Sequence, residues 1–267
     1  MATSAITRLA SEQLKPEIGS RILTDKAALL TGAYSAEIME LLEARGILLF
    51  PQIHFTDEEQ IAFTKTLGTF APEMRGEEIY KITLDKTQTS TADYLKGTFF
   101  WHFDGFMNKV PILASLLSSK VLDPQGRGNT EFANTYAAYD ALPDERKAEI
   151  EDKVVIHALA STQLDHTPEP TWEEWQSWRA IGRAELPLVW KHASGRKSLV
   201  IGNSAYAVLG MEPLDGKGLL VYLRDWATQE RFTYSHKWAV GDAIMWDNTG
   251  SLHRATEYPA DSVRMLH

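Results

Sequence analysis

Short apolar runs separated by turn residues dominate the chain beyond residue 98 and predict a mainly β protein. Residues 188–192 and 198–201 are predicted to pair as a hairpin around a Ser-Gly-Arg turn. Many short strands at close spacing are typical of a sandwich or barrel. Further strands are predicted at residues 99–103, 112–117, 129–133, 154–159, 232–238, 243–246 and 263–267.

The segment from residue 35 onward predicts a helix followed by a buried strand. Apolar positions fall near one face of residues 35–46, with Ser35 as the predicted N-cap and Gly46 just beyond the C-terminus. The uninterrupted apolar run at residues 47–50 then predicts a strand buried on both faces, which Pro51 ends.

A second helix is predicted after Thr56, because Glu59 lies three residues later in the pattern of a capping box. This helix is expected to end at Gly68. Helices are also predicted at residues 144–152, 171–183 and 216–228, peripheral strands within residues 14–30, a short strand at residues 79–84, and at residues 85–97 a surface loop that could cover a site.

Composition narrows the possible functions. The 267 residues carry a net charge of -9 with no long basic block, which argues against nucleic acid as a partner. The absence of cysteine excludes disulfides, thiolate metal sites and cysteine nucleophiles. The longest apolar run near the N-terminus, residues 47–51, is too short to cross a membrane. We expect a single cytoplasmic domain over residues 1–267, acting on a small molecule; a monomer and a homo-oligomer both remain open.

His102 and Asp104 form a His-x-Asp pair on a predicted strand, so both side chains would project to one face. On its own the pair is more typical of a surface or hydrogen-bonded strand histidine. His253 is the best third ligand, and two histidines with one carboxylate are diagnostic of non-haem iron(II) oxygenases. Arg264 would fall on the next strand, where its guanidinium could grip the carboxylate of a diacid.

The chain resembles the taurine dioxygenase and phenoxyacetate dioxygenase family of Fe(II)- and 2-oxoglutarate-dependent oxygenases. The resemblance runs from about Leu41 to His267 and rests on blocks in a fixed order. They include Gly-Ile-Leu-Leu-Phe-Pro at residues 46–51, Trp-His-Phe-Asp at 101–104, Asn-Thr-Glu-Phe at 129–132, His-Ala-Ser-Gly-Arg-Lys-Ser-Leu at 192–199, His-Arg-Ala-Thr at 253–256 and Arg-Met-Leu-His at 264–267.

The resemblance implies a double-stranded β-helix, a cupin-like jelly roll with peripheral helices, that holds iron in its mouth. It implies that His102, Asp104 and His253 bind Fe(II), and that Thr130 and Arg264 hold the distal carboxylate of 2-oxoglutarate. The implied reaction consumes O₂, releases succinate and CO₂, and hydroxylates a small organic substrate. Hydroxylation beside a heteroatom would also cleave the substrate.

The substrate side departs from the taurine-type pattern. Thr98 stands where the family often has asparagine, and the loop at residues 69–75 has no histidine. Phe103 and Phe106 suggest an apolar or aromatic substrate wall, with ordinary core packing as the alternative, and we expect an anionic or aromatic acid. Lys96 and Arg75 are candidate partners for a substrate carboxylate. Family members that act on anionic substrates often carry another arginine shortly after the position of Arg264. This chain stops at His267, before that position, which suggests that the sequence is a piece of a longer protein.

Two alternatives remain at this level. A catalytically inactive metal-binding jelly roll could serve as a small-molecule sensor, although such a protein has no need of a 2-oxoglutarate clamp. The same iron centre could instead perform desaturation or cyclisation. Halogenation is disfavoured because Asp104 is present as a ligand.

Overall fold

The computed structural model describes residues 8–71, 76, 78–89 and 94–267, and this part of the chain contains eight α-helices and fourteen β-strands. The helices are α1 (Lys26–Leu30), α2 (Ser35–Arg45), α3 (Asp57–Leu67), α4 (Thr135–Asp140), α5 (Asp144–Ile150), α6 (Leu159–Leu164), α7 (Trp172–Ala180) and α8 (Pro213–Ala227). The strands are β1 (Ser11–Gln13), β2 (Ser20–Ile22), β3 (Ile47–Phe50), β4 (Ala114–Val121), β5 (Thr130–Asn134), β6 (Val154–Ala158), β7 (Arg183–Pro187), β8 (Val189–Lys191), β9 (Lys197–Leu199), β10 (Ala205–Val208), β11 (Thr233–His236), β12 (Ala243–Asp247), β13 (Ser251–Ala255) and β14 (Met265–Leu266).

Two sheets form the centre of the protein. The larger has the strand order β1-β2-β3-β12-β4-β14, and the smaller has the order β11-β5-β13. Their inner faces share one apolar cluster, in which the ring of Phe132 on β5 lies 5.8 Å from that of Trp246 on β12. Two antiparallel-rich sheets packed in this way confirm the predicted jelly roll.

The N-terminal helices cover the outer face of the larger sheet. Phe63 of α3 is fully buried and its ring lies 5.4 Å from that of Phe50 on β3. The capping box at Thr56 is confirmed, since its hydroxyl accepts from the backbone of Glu59 and the Glu59 carboxylate accepts from the backbone of Thr56. The strand at residues 47–50 is confirmed as well, with all four residues buried.

An insertion between β5 and β11 builds the second apolar cluster. It contains the three-stranded sheet β10-β6-β7, the predicted hairpin β8-β9, and α8, whose buried leucines pack against α4 and β10. Strands β7 and β10 and helix α6 were not predicted. The residues of β7 are all exposed or half-buried, so they give no clear apolar pattern, and α6 has only 6 residues, too few to show a helical period. No helix in the described part of the chain is both long enough and apolar enough to cross a membrane.

Several predictions of local structure were wrong. Ser35 is not an N-cap: helix α2 begins after Tyr34, and the Ser35 hydroxyl donates instead to the carbonyl of Gly32. Of residues 79–84, only Ile82 makes a β-bridge, with Leu266. Within the loop predicted at residues 85–97, a 3₁₀ helix begins at Tyr94 and runs to Phe99, whereas residues 90–93 lie outside the described part.

His157 on β6 makes stability depend on pH. The ring is fully buried, and burial lowers its pKa from 6.5 to about 4. The unfolded chain therefore binds more protons between these two values, so the free energy of unfolding should fall by about 3 kcal/mol as pH drops from 6.5 to about 4. Urea denaturation of the wild type and of His157→Gln across this window checks the prediction; an equal pH slope in both proteins would contradict it.

Candidate metal centre and diacid clamp

The segment that carries His102 and Asp104 is not the predicted strand at residues 99–103. It leaves the 3₁₀ helix at Phe99, and His102 makes a single antiparallel bridge with His253 through two backbone hydrogen bonds of 3.0 and 2.8 Å. Gly105 then turns the chain with a φ of 75°, where a β-carbon would lie 2.8 Å from the Ile112 side chain. The bridge ties this segment to β13.

Three candidate ligands meet beside the bridge. Nε2 of His102 lies 3.9 Å from Oδ1 of Asp104, and Nε2 of His253 lies 3.7 Å from the same oxygen. One ligand atom from each residue fits within 4.8 Å of the others. Two donors at about 2.1 Å from one first-row ion lie at most roughly 4.2 Å apart, so the carboxylate-to-imidazole spacings suit a shared ion.

Each imidazole is held by a different kind of contact. His102 donates from Nδ1 to the carbonyl of Phe100 at 2.8 Å, because a carbonyl can only accept, and this leaves the Nε2 lone pair for a metal. His253 has no hydrogen-bond partner at Nδ1 among the described residues. Its ring is instead held by packing, 6.3 Å from that of Phe132 and 4.7 Å from that of Trp246.

A polar relay orients Asp104. The Asn248 side-chain oxygen accepts from the indole of Trp246 at 2.8 Å and from the backbone of Asp104 at 3.3 Å, while its amide donates to Ser115 at 2.8 Å. The Ser115 hydroxyl then donates to Oδ2 of Asp104 at 3.4 Å, which leaves Oδ1 facing the histidines. Neither Asn248 nor Ser115 was predicted to belong to the site, because Asn248 contacts Asp104 across 144 residues of the chain and no local pattern marks either side chain.

Burial disfavours charge on these groups. Desolvation raises the pKa of Asp104, and it lowers the pKa of His253 well below 6.5, with the nearby His102 adding to the effect. The Asp104 side chain is only partly buried, at 35% exposure, and a cation would favour its ionised form, while a neutral imidazole is the form that binds metal. The donor set of two imidazoles and one carboxylate therefore fits a divalent iron ion.

Arg264 lies directly before β14 rather than on the predicted strand, and its side chain is 1% exposed. Nε donates to the carbonyl of Gly128 at 2.9 Å, and the guanidinium carbon lies 4.6 Å from the Tyr258 ring centroid. Nη1 is buried with no partner among the described residues. A buried guanidinium nitrogen without a hydrogen-bond partner destabilises the folded protein, so this group fits a carboxylate ligand such as the distal end of 2-oxoglutarate.

Gly128 allows Arg264 to take this position. Its φ is +84°, and a β-carbon there would lie 2.6 Å from both Cδ and Nε of the arginine. Thr130, the first residue of β5, is also buried, and its hydroxyl oxygen accepts from the indole of Trp238 at 3.0 Å. Nothing in the local pattern singled out Gly128 or Trp238, since their partners lie far along the chain.

The residues predicted to contact substrate take different positions. The Thr98 hydroxyl donates to the carbonyl of Leu95, inside the 3₁₀ helix. Phe103 is buried with its ring 5.5 Å from that of His157, and Phe106 lies 6.1 Å from the same ring. These contacts favour core packing for both phenylalanines.

Of the loop at residues 69–75, which lacks the taurine-type histidine, residues 72–75 lie outside the described part of the chain. Arg75 is one of these residues outside the described part. Lys96 is exposed on the 3₁₀ helix, and both residues stay candidates for a substrate carboxylate.

Comparison with known proteins identifies the family. Residues 10–267 match the family described as "Taurine catabolism dioxygenase TauD, TfdA family". The chain belongs to this family. Its membership confirms the resemblance found in the sequence, and the protein is an Fe(II)- and 2-oxoglutarate-dependent dioxygenase.

Several relatives of this dioxygenase are similar over most of its length. A (S)-phenoxypropionate/alpha-ketoglutarate-dioxygenase from Sphingobium herbicidovorans is 35% identical over 230 residues, covering 83% of this chain and 80% of that protein. An alpha-ketoglutarate-dependent 2,4-dichlorophenoxyacetate dioxygenase from Cupriavidus pinatubonensis is 35% identical over 251 residues, covering 86% and 85%. The crystal structure of AAD-2 in complex with Mn(II) and N-oxalylglycine superposes with a TM-score of 0.82 at 33% identity, covering 97% of this chain and 95% of that one.

Removing the orienting amide should weaken metal binding. In Asn248→Ala, Asp104 loses its backbone contact and Ser115 loses its donor, so we expect metal affinity to fall about 10- to 100-fold. Anaerobic titration with Fe(II) or Mn(II) measures the effect. Asn108→Ala, an exposed asparagine, is the matched control and should bind metal as the wild type does. Equal affinities in the two variants would contradict the relay.

Adding a methyl group at Gly128 should displace the arginine. We expect Gly128→Ala to raise the KM for 2-oxoglutarate at least about tenfold, because the new β-carbon occupies the space of the Arg264 side chain. Gly126→Ala is a matched control in the same loop: its φ is +69°, but a β-carbon meets only the end of Lys237 at 3.6 Å. The control should lose stability without a change in KM, and a similar rise in both would refute the steric reason.

Proposed function

We propose that this dioxygenase hydroxylates a small aryloxyalkanoic acid at the carbon that carries the ether oxygen. The proposal rests on two relatives that are each 35% identical to this chain and are named for phenoxypropionate and 2,4-dichlorophenoxyacetate. Hydroxylation at that carbon gives a hemiacetal or hemiketal, which collapses to a phenol and an oxo acid. The bond between the ether oxygen and the hydroxylated alkyl carbon thus breaks without a separate hydrolysis step, and the ether oxygen leaves with the phenol.

We propose that His102, Asp104 and His253 hold Fe(II), and that Arg264 and Thr130 hold the distal carboxylate of 2-oxoglutarate. The observation that carries this assignment is the meeting of three ligand atoms within 4.8 Å, beside a clamp whose Arg264 has a buried, unpaired nitrogen. When bound, iron(II) and 2-oxoglutarate supply the oxidising chemistry that activates O₂ and yields succinate and CO₂.

In this assignment the protein's residues bind and orient. The proton of His102 stays on Nδ1, which donates to the Phe100 carbonyl, so Nε2 remains available as a ligand. Asp104 stays ionised opposite a cation, and Ser115 keeps its second oxygen occupied. Arg264, with Nε satisfied by Gly128, offers its remaining nitrogens to a carboxylate. These contacts would fix the positions of the metal and of 2-oxoglutarate relative to a bound substrate.

We also propose that the whole chain forms one domain, and that the enzyme acts in the cytoplasm on a small molecule rather than on nucleic acid. The net charge of -9 supports a small molecule over nucleic acid as the substrate, because a phosphate backbone favours basic protein surfaces. The relatives are named as dioxygenases, which favours the enzyme over an inactive metal-binding sensor.

His102→Ala should abolish substrate-dependent succinate formation, because only Asp104 and His253 would remain to bind the metal ion. His166→Ala removes a histidine outside the cluster and should retain succinate formation close to that of the wild type. Succinate release under air, with circular dichroism to confirm folding, measures both. Full activity in a folded His102→Ala protein would remove the ligand assignment.

The substrate class is tested by presenting both enantiomers of phenoxypropionate, 2,4-dichlorophenoxyacetate, alkyl sulfates and taurine to the same enzyme. We expect succinate and phenol in equal amounts from at least one aryloxyalkanoate. Succinate release with alkyl sulfates or taurine alone would refute the aryloxyalkanoate proposal while leaving the metal and clamp assignments intact.

A further inference from the structure

The hydrogen bond between Trp238 and Thr130 fixes which way the threonine hydroxyl can act. Both residues are buried, and the indole Nε1 lies 3.0 Å from Oγ1 of Thr130. An indole nitrogen can only donate, so the threonine oxygen accepts here. Within the described part of the chain, the hydroxyl donates to no protein atom. Its own proton is therefore left for a further acceptor.

Arg264, which is hydrogen-bonded to the segment just before Thr130, carries a second unsatisfied donor. Gly128, two residues before Thr130, accepts from Nε of Arg264, while the buried Nη1 of that arginine has no partner among the described residues. Two donors without protein acceptors suit a group that only accepts. An ionised carboxylate is such a group.

The indole of Trp238 packs against His236, and the chain directly after it is fixed by a backbone hydrogen bond. The ring of His236 lies 4.7 Å from that of Trp238 at an interplanar angle of 86°, and Nε2 of His236 lies 3.0 Å from Oδ2 of Asp242. The same carboxylate oxygen accepts from the backbone of Ala239 at 2.9 Å, directly after Trp238. Side chain and backbone are thus fixed from one buried aspartate.

We propose that Trp238 is a positioning residue, which holds the Thr130 hydroxyl as a donor toward the distal carboxylate of 2-oxoglutarate. The inference rests on the proposed function, because it takes Thr130 and Arg264 as the clamp. Without the indole N–H, the hydroxyl regains a second acceptor position and rotational freedom. Part of the pre-organised interaction with the co-substrate is then lost.

Binding of N-oxalylglycine to the Mn(II)-loaded protein, measured by calorimetry without turnover, tests the proposal. We expect Trp238→Phe, which keeps an aromatic ring but removes the donor, to weaken binding about tenfold. Trp226→Phe is the matched control, because it also removes an indole donor, to the Ala138 carbonyl at 2.9 Å, on the remote helix α8. The control should bind as the wild type does.

A double-mutant cycle separates orientation of the hydroxyl from general repacking. If Trp238 acts through the hydroxyl, adding Trp238→Phe to Thr130→Val should weaken binding no further. Equal losses in both backgrounds, or unchanged binding in Trp238→Phe, would overturn the proposal. Should the phenylalanine variant fail to fold, benzothienylalanine at position 238 keeps the shape of the indole, replaces N–H by sulfur, and should give the same loss.

The wild-type titration distinguishes the two levels of the argument. A wild-type protein that binds Mn(II) but not N-oxalylglycine would refute the clamp itself, and with it the role of Trp238. Normal wild-type binding with a null result for Trp238→Phe would refute the positioning role alone.

Discussion

The backbone bridge between His102 and His253 is the constraint on which the proposed metal centre depends. His102 follows a 3₁₀ helix and lies outside the regular strands, so this pair of hydrogen bonds is what joins its segment to β13. It brings the two imidazole centroids to 4.1 Å and leaves Asp104 to face both rings. Because the bonds are made by the main chain, the identity of the ligand side chains does not enter into them.

The register of β5 against β13 links the proposed metal centre to the proposed clamp. His253 is paired with Phe132, whose ring also packs on it, and Ala255 is paired with Thr130. A shift of one residue would turn His253 away from Asp104 and Thr130 away from the clamp side together. Placing one ligand and one clamp residue on paired strands therefore fixes both with the same hydrogen bonds.

A buried cation, Arg264, and a partly buried carboxylate, Asp104, dominate the electrostatics, and the structure satisfies neither fully. Arg264 is 1% exposed and relies on the Gly128 carbonyl and the Tyr258 ring, while desolvation raises the pKa of Asp104. Such groups destabilise a folded protein unless ions of opposite sign pair with them. In the proposed function a divalent metal and a diacid would supply these charges, and the free protein would then be pre-organised for its ligands at some expense of stability.

Local interactions explain what could be predicted from the sequence alone. The capping box at Thr56 and the buried strand at residues 47–50 depend on contacts within a few residues, and the order of short motifs was enough to indicate the family, the jelly roll and the candidate ligands. Only the tertiary structure decided that residues 99–103 form no strand, that Gly128 lies against Arg264, and that Trp238 donates to Thr130. Their partners lie more than a hundred residues away along the chain, and no local pattern records a contact that exists only after the two sheets have packed.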